Sequence, residues 1–374
     1  MANSNSEFYP GKTQKKKRPA LIISIVLLTL LALALLLFYG LQKYIVITND
    51  GLHLDIPMLT GGTSRLEVND EGQSVKVFDP VEIQLTKTDA DYSNVRASAG
   101  EDLTAIKAVY IPASQFSADR VRSEAANMQY GNALVIEVKP LSGHLVYNSQ
   151  VDFALAYGTA GDADLASLVK EIKDGEKEIY LVAELCCLND GIVPDRNPGV
   201  ALKSGDMQNY SDSSGVGWID PYSADYRKYI TDLCRELSDM GFDEIALNGV
   251  KMPAAEGLGL VCPNTSNPDV TPVLACSGFA MSVTRSLKSL KAAVSVRLNS
   301  DTAFANGVDE LSGQNAELFF KIFDRIYYYV DAANAASAVE SAEQYLELGD
   351  IDMRLVPVCY GSTPETESWV FMQN

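Results

Sequence analysis

The chain has 374 residues, 47% of them hydrophobic, and a net charge of −19, so it can bury the core of one large domain or two small ones. An acidic surface repels phosphate backbones, which argues against nucleic acid as a partner and favours neutral or cationic ligands, although the acidity could serve solubility alone. Two histidines and six cysteines without a CxxC pair argue against a zinc site. No glycine-rich nucleotide motif follows an apolar run, so we expect no cofactor.

The N-terminal segment predicts a membrane anchor. Residues 20–39, ALIISIVLLTLLALALLLFY, carry no charge and are long enough for the roughly 30 Å hydrocarbon core of a bilayer. The basic cluster KKKR at 15–18 precedes this run, and Lys43 alone follows it closely. We therefore predict a cytoplasmic basic tail at 1–18, a transmembrane helix at 19–40 in contact with the lipid bilayer, and an extracytoplasmic remainder, giving a single-pass protein of the cell membrane. A cleaved signal peptide is the alternative.

Residues 41–104 predict a stalk with a small β element. Tyr44–Leu59 favours two strands around the turn Asn49-Asp50-Gly51. Residues 60–104 are rich in Gly, Ser, Thr and Asp, with one strand-like stretch at 75–85.

From residue 105 onward, short apolar runs alternate with helical patterns, which is typical of a parallel sheet with helices outside it. Seven clear strands and a weak eighth favour a (β/α)8 TIM-like barrel over 105–374. The predicted strands are 105–114, 133–139, 178–187, 244–250, 292–298, 325–330, 353–360 and 368–372. The predicted helices are 117–130, 162–174, 223–240, 277–291, 312–322 and 335–348.

In such barrels the functional site lies at the C-terminal ends of the strands. Glu137 and Glu184 fall at the ends of neighbouring strands and are the best pair of carboxyl groups for the acid and base of glycoside hydrolysis. The alternative is that they form ion pairs with Lys139 or Arg297. Further polar strand ends are Asn248, Lys251, Asp331 and Tyr360.

Loop residues offer weaker candidates. Asp220 either contacts a substrate or caps the following helix or fixes the loop, and Trp218 either stacks on a sugar or packs in the core. Asp190 and Asp195 are expected to be solvated loop acids. Cys262 and Cys276 flank a polar loop, and a disulfide between them is a hypothesis.

Three motifs carry a resemblance to a bacterial family called putative glycosyl hydrolases, with a βα-barrel fold. Asn132–Lys139 (NALVIEVK) is similar to the family's NAVVIDVK strand, and Trp218–Ser223 (WIDPYS) is similar to its WVDPYS turn. Gly241–Ile245 (GFDEI) is similar to its GFDEI segment. The resemblance implies a barrel that acts on carbohydrate, either cell-wall or environmental glycan, with Glu137 and Glu184 as catalytic candidates.

This chain also departs from the family pattern. The family's FDYVRFP reads Leu247–Pro253 (LNGVKMP) here, so Asn248 stands where a strand-end Asp is expected and Lys251 replaces an Arg. An amide cannot act as a carboxylate nucleophile or titrate as an acid. Either Glu184 supplies the missing carboxylate, with Asp220, Trp218, Asn248, Lys251 and Arg297 binding the substrate, or the barrel binds glycan without cleaving it. A structural envelope domain without a sugar ligand is the third reading.

Overall fold

The computed structural model describes residues 19–41, 45–48, 51–54, 64–68, 74–78, 103–129, 131–254, 257–267, 269–345 and 351–373. The chain divides into two compact units, residues 1–89 and 90–374, which are described separately.

The first unit contains one helix and two antiparallel strand pairs. The helix α1 spans Pro19–Leu41. Strands β1 (Ile45–Thr48) and β2 (Gly51–Leu54) pair as the sequence predicts, and β3 (Ser64–Val68) pairs with β4 (Ser74–Phe78). Residues 79–102 lie outside the described residues, so the boundary between stalk and barrel at residue 105 stays a prediction.

The predicted membrane location is corrected. The helix α1 exists where the sequence predicts an apolar helix. Within the described part of the chain, however, no helix qualifies as long and apolar enough to cross a membrane. On this finding the prediction of a single-pass membrane protein with a cytoplasmic N-terminus, an extracytoplasmic barrel and the lipid bilayer as a partner through residues 19–40 is wrong.

The second unit contains a closed barrel of eight parallel strands, which confirms the predicted barrel. Each strand pairs with the next in chain order, and β12 closes the ring by pairing with β5. The weak C-terminal run is therefore a true barrel strand. The strands are β5 (Lys107–Ile111), β6 (Ala133–Lys139), β7 (Tyr180–Cys186), β8 (Glu244–Asn248), β9 (Ala293–Leu298), β10 (Ile326–Tyr329), β11 (Leu355–Tyr360) and β12 (Trp369–Met372).

Helices connect the strands. Their bounds are α2 (Ala118–Asn127), α3 (Asp152–Ala156), α4 (Leu165–Lys173), α5 (Val193–Arg196), α6 (Ala224–Met240), α7 (Pro272–Ser286), α8 (Asp301–Asn306), α9 (Ala316–Ile322), α10 (Ala335–Ala342) and α11 (Ile351–Arg354). The longest of those in the barrel unit, α6, begins where the Ser223 side chain accepts a hydrogen bond from the backbone N–H of Tyr226. It ends at Gly241, whose φ of 106° lies in the left-handed region that glycine adopts without strain.

Side-chain alternation divides the core into two parts. Alternate strand residues, such as Ala108, Val135 and Val182, fill the barrel interior. The residues between them pack against the surrounding helices in a larger outer core.

The N-terminal end of the barrel is closed by a buried polar group. The Glu244 carboxylate accepts hydrogen bonds from Tyr180 (2.9 Å), Arg325 (2.8 Å) and Tyr327 (2.6 Å). Any ligand site inside the barrel therefore opens at the opposite end, where the strands finish.

Candidate functional site

Polar and aromatic side chains gather at the C-terminal mouth of the barrel. Glu137 on β6 and Glu184 on β7 are directly paired in the parallel register, so their side chains point to the same side of the sheet. We define the mouth cluster as Tyr110, Glu137, Glu184, Asn248, Arg297, Asn299 and Tyr329. The cluster thus brings together both predicted catalytic residues and two of the predicted substrate-binding residues.

Glu184 is held by three side chains from three other strands. Its Oε1 accepts hydrogen bonds from the Tyr110 hydroxyl at 2.8 Å and from the Asn248 amide Nδ2 at 3.2 Å. Its Oε2 accepts a hydrogen bond from Arg297, with which it forms an ion pair. Glu184 is only 1% exposed, and these donors replace the water that a buried carboxylate loses.

Arg297 is the cation of the mouth cluster and is also only 1% exposed. Burial lowers the pKa of its guanidinium, but the charge and hydrogen bond of Glu184, together with Tyr329 and Tyr110, outweigh burial, and the net pKa is raised. The guanidinium carbon lies 4.6 Å from the ring centre of Tyr329 and 5.6 Å from that of Tyr110. Its Nε and Nη1 find no hydrogen-bond partner within the described residues, so the ion pair and the two rings hold this cation.

Glu137 occupies a different environment from Glu184. It is half-buried, and its Oε2 accepts one hydrogen bond, from the backbone N–H of Ala113 at 2.8 Å. Burial is the main cause that raises the pKa of the Glu137 carboxyl. The hydrogen bond from the Ala113 N–H opposes it, the negative charge of Glu184 adds a smaller rise, Arg297 a smaller decrease, and the net pKa is raised. The mouth therefore contains one carboxyl group that holds its proton more tightly than usual and one that is paired with a cation.

Asn248 links β8 to this network through its amide. Its Nδ2 donates to Glu184, and its Oδ1 accepts a hydrogen bond from Asn299 Nδ2 at 3.3 Å. The backbone N–H of Asn299 in turn donates to Gln314 Oε1 at 2.8 Å. The amide at position 248 thus bridges a carboxylate and a second amide, which requires both a donor and an acceptor.

Asp220 and Trp218, two of the predicted substrate contacts, lie outside the mouth cluster. Asp220 is buried and accepts hydrogen bonds from the backbone N–H of Tyr222 (2.9 Å) and from the backbone and side chain of Asn264 (both 2.8 Å). It fixes two loops to each other, while Ser223 caps the helix. Trp218 is 5% exposed, belongs to the outer core and donates to Asp212 at 3.3 Å. For Asp220 the geometry favours fixing the loop over contacting a substrate, and for Trp218 it favours packing in the core. Lys251 is half-buried in the loop after β8.

The long loop after β7 is fastened by a buried ion pair between Lys139 and Asp190, whose atoms are 2.8 Å apart. Asp190 also accepts hydrogen bonds from the Tyr226 hydroxyl at 3.1 Å and from the backbone N–H of Ile192 at 2.9 Å. The expectation that Asp190 is a solvated acid is therefore wrong. Lys139 pairs with this loop and Arg297 with Glu184, so the ion-pair alternative holds for Glu184.

The cysteines carry no disulfide. All six are free and buried, so the hypothesis of a bond between Cys262 and Cys276 is wrong for this structure. Cys186 is the cysteine nearest the mouth cluster in sequence, and burial raises the pKa of its thiol to about 11. A thiol with this pKa is not a nucleophile at neutral pH.

Sequence reasoning missed three members of the cluster: Tyr110, Asn299 and Tyr329. Side-chain alternation could have indicated the two tyrosines. Tyr110 lies two residues after Ala108 on β5 and Tyr329 two residues after Tyr327 on β10, so each faces the barrel interior near a strand end. Asn299 follows β9 and carries no comparable signal. Across the described ranges, no group of His, Cys, Asp and Glu residues is arranged to bind a metal ion.

Solved structures with a similar fold come from several organisms. A hypothetical protein from Ruminiclostridium thermocellum is 21% identical, with a TM-score of 0.44, over 50% of this chain and 96% of its own. The PgaB (BpsB) glycoside hydrolase domain from Bordetella bronchiseptica is 11% identical, with a TM-score of 0.49, over 72% and 94%. Aspergillus fumigatus Ega3 in complex with galactosamine is 8% identical, with a TM-score of 0.43, over 71% and 82%.

No curated protein is significantly similar to this chain in sequence. The assignment to a family therefore rests on a family model and not on a single relative. Residues 108–330 match the model of the family described as "Putative glycosyl hydrolase domain". This match covers most of the barrel, from β5 to the end of β10, and it agrees with the three motifs seen in the sequence. The chain belongs to this glycosyl hydrolase-like family.

Proposed function

We propose that this protein hydrolyses a glycosidic bond in the mouth of its barrel, with Glu137 as the proton donor and Glu184 as the second carboxylate. The observation that supports the proposal is the unequal environment of these two adjacent carboxyl groups. Enzymes that need an acid and a base in one site usually place two titratable groups in different surroundings, so that one group keeps its proton while the other stays ionised.

Each carboxyl group suits one step of the reaction. The raised pKa of Glu137 keeps a proton available for the leaving oxygen of the scissile bond. Glu184, with hydrogen bonds from Tyr110, Asn248 and Arg297, is suited to carry the negative charge that stabilises an oxocarbenium-like transition state. Asn248 and Arg297 would act by holding Glu184 rather than by touching the bond that breaks.

Two features of the same cluster favour a second function, the binding of glycan without hydrolysis. Glu184 is nearly inaccessible, and position 248 carries an amide in place of a carboxylate. A barrel with one accessible carboxyl group could bind glycan in its mouth without cleaving it. Lys251 stays a predicted substrate contact under either function, whereas the buried contacts of Asp220 and Trp218 favour a structural role for both.

The test uses the full chain on a panel of neutral, amino and acidic polysaccharides, with binding followed by affinity electrophoresis and hydrolysis by new reducing ends. We expect hydrolysis of at least one neutral or amino polysaccharide. Binding without new reducing ends would favour the non-hydrolytic function. Neither binding nor hydrolysis across the panel would contradict both functions and favour a structural domain.

A further inference from the structure

We propose that Tyr360, supported from behind by Tyr329, is the platform on which an uncharged or cationic sugar ring stacks at the barrel mouth. This inference rests on the proposed function and names the class of sugar and a residue that selects it.

Tyr360 is an exposed aromatic residue at the edge of the mouth. It is the last residue of β11 and alternates with Val356 and Val358, which point into the barrel. Its exposed fraction of 56% contrasts with the 5% of Tyr110, another member of the inward-facing rows. An exposed ring at the end of an inward-facing row presents an apolar surface to whatever enters the mouth.

The ring of Tyr360 is held in place by its neighbours. It stacks on Tyr329 with ring centres 5.8 Å apart and an angle of 11° between the planes. Tyr329 is fixed in turn by the guanidinium of Arg297 at 4.6 Å, and Arg297 is paired with Glu184. Tyr329 covers part of one face of Tyr360, and Tyr360 is still 56% exposed.

A ring that is already fixed loses little conformational freedom when a ligand stacks on it. The C–H face of a pyranose is apolar and flat enough to cover an aromatic ring, whereas its hydroxyl groups lie around the edge. The chain of contacts from Tyr360 through Tyr329 and Arg297 ends at Glu184. A sugar on Tyr360 would therefore lie at the same mouth as Glu184, at the outer end of this row of contacts.

The charges of the mouth decide which sugars fit. Arg297 is the cation of the mouth cluster, and its charge is already matched by Glu184. Glu137 adds a second acidic group whenever it ionises, and the whole chain carries a net charge of −19. A uronic acid would bring a further negative charge beside these groups, so neutral and amino sugars are favoured over acidic ones.

The test measures saturation-transfer NMR from the full-length protein to methyl pyranosides of glucose, galactose, glucosamine and N-acetylglucosamine, and to methyl glucuronide and galacturonide. For the wild-type protein we expect transfer to the ring C–H protons of at least one neutral or amino sugar, and weaker transfer to the acidic sugars. Tyr360→Ala should weaken the affinity about tenfold, which corresponds to about 1.4 kcal/mol. Tyr360→Phe should bind as the wild type does, because stacking does not need the hydroxyl group.

Leu155→Ala is the matched control, since Leu155 is 55% exposed on α3 and is not part of the mouth cluster. Three results would each contradict the proposal that Tyr360 is a stacking platform: unchanged binding in Tyr360→Ala, stronger binding of the acidic sugars, or no transfer to any of these pyranosides. The hydrolytic function is judged separately, by new reducing ends from the polysaccharide panel. Hydrolysis that does not depend on Tyr360 would reject the platform and leave that function standing.

Discussion

Replacing Glu184 with Gln is expected to lower the free energy of unfolding by about 3–5 kcal/mol, because it leaves the buried charge of Arg297 without a partner. Arg297→Met leaves Glu184 with the Tyr110 and Asn248 donors, so we expect a loss toward the lower end of that range. Both side chains are 1% exposed, so water cannot replace the missing partner without opening the barrel mouth.

The double variant Glu184→Gln/Arg297→Met should cost less than the sum of the single variants, because neither charge then remains unpaired. Urea unfolding followed by tryptophan fluorescence measures these differences, since both tryptophans, Trp218 and Trp369, lie in the barrel. Arg122→Met is the control: the Arg122–Glu171 pair is 44% and 52% exposed, so its loss should lower the free energy of unfolding far less than either buried variant does. Additive single costs would show that the pair does not act as a unit.

Glu137→Gln is expected to lower the rate of glycan hydrolysis by about 10²–10⁴-fold, because a carboxamide cannot donate a proton to the leaving oxygen. The variant keeps an oxygen that can accept the hydrogen bond from Ala113 and has nearly the shape of glutamate. We therefore expect the barrel to fold normally and glycan affinity to change little. The measurement is the rate of release of reducing ends from whichever polysaccharide the wild type cleaves, together with affinity electrophoresis on the same polysaccharide.

Glu236→Gln is the matched control for this loss, since Glu236 is also half-buried and accepts a backbone N–H, from Gln150 at 2.6 Å. It belongs to α6, outside the barrel interior, and should leave hydrolysis unchanged. Hydrolysis by Glu137→Gln at the wild-type rate would remove Glu137 from the mechanism. Equal losses in both variants would point to general destabilisation in place of chemistry.

The barrel could be predicted from the sequence because its signals are local. Each strand is a short apolar run, and the α6 segment combines a period of about 3.6 residues with Ser223 at its start and Gly241 at its end. Boundaries moved where local signals were weak: the helix predicted at 277–291 is α7, which begins at Pro272. The helix predicted at residues 19–40 is present, but its predicted role as a membrane span was wrong. An apolar composition predicts a helix and does not by itself determine whether that helix lies in a membrane.

The candidate site could be predicted only in part, because partners in space are not neighbours in sequence. Strand-end position was enough to select Glu137, Glu184, Asn248 and Arg297, which the structure brings to one mouth. Strand-end position could not reveal that Arg297 forms its ion pair with Glu184, or that Lys139 forms one with Asp190 in the loop after β7. These choices depend on side-chain directions and on a register shift between Glu137 and Lys139 in the pairing of β6 with β7.

The raised pKa of Glu137 also has a consequence for stability. A carboxyl group whose pKa is higher in the folded state binds more protons when folded than when unfolded. Its contribution to stability is therefore fully present below the ordinary pKa of 4.5 and is lost as the pH rises through the folded-state pKa. Glu137→Gln removes this dependence, so its stability relative to the wild type should improve as the pH rises through that window.

The protonation of Glu137 is the central claim, and it can be measured without knowing the substrate. The measurement is a pH titration of glutamate side-chain carboxyl ¹³C shifts by NMR in the full chain, with Glu137→Gln identifying the resonance. We predict a titration midpoint clearly above 4.5, as burial and the neighbouring Glu184 charge require. A midpoint at or below 4.5 would mean that Glu137 gives up its proton as readily as a solvated glutamate, and it would contradict the role of proton donor.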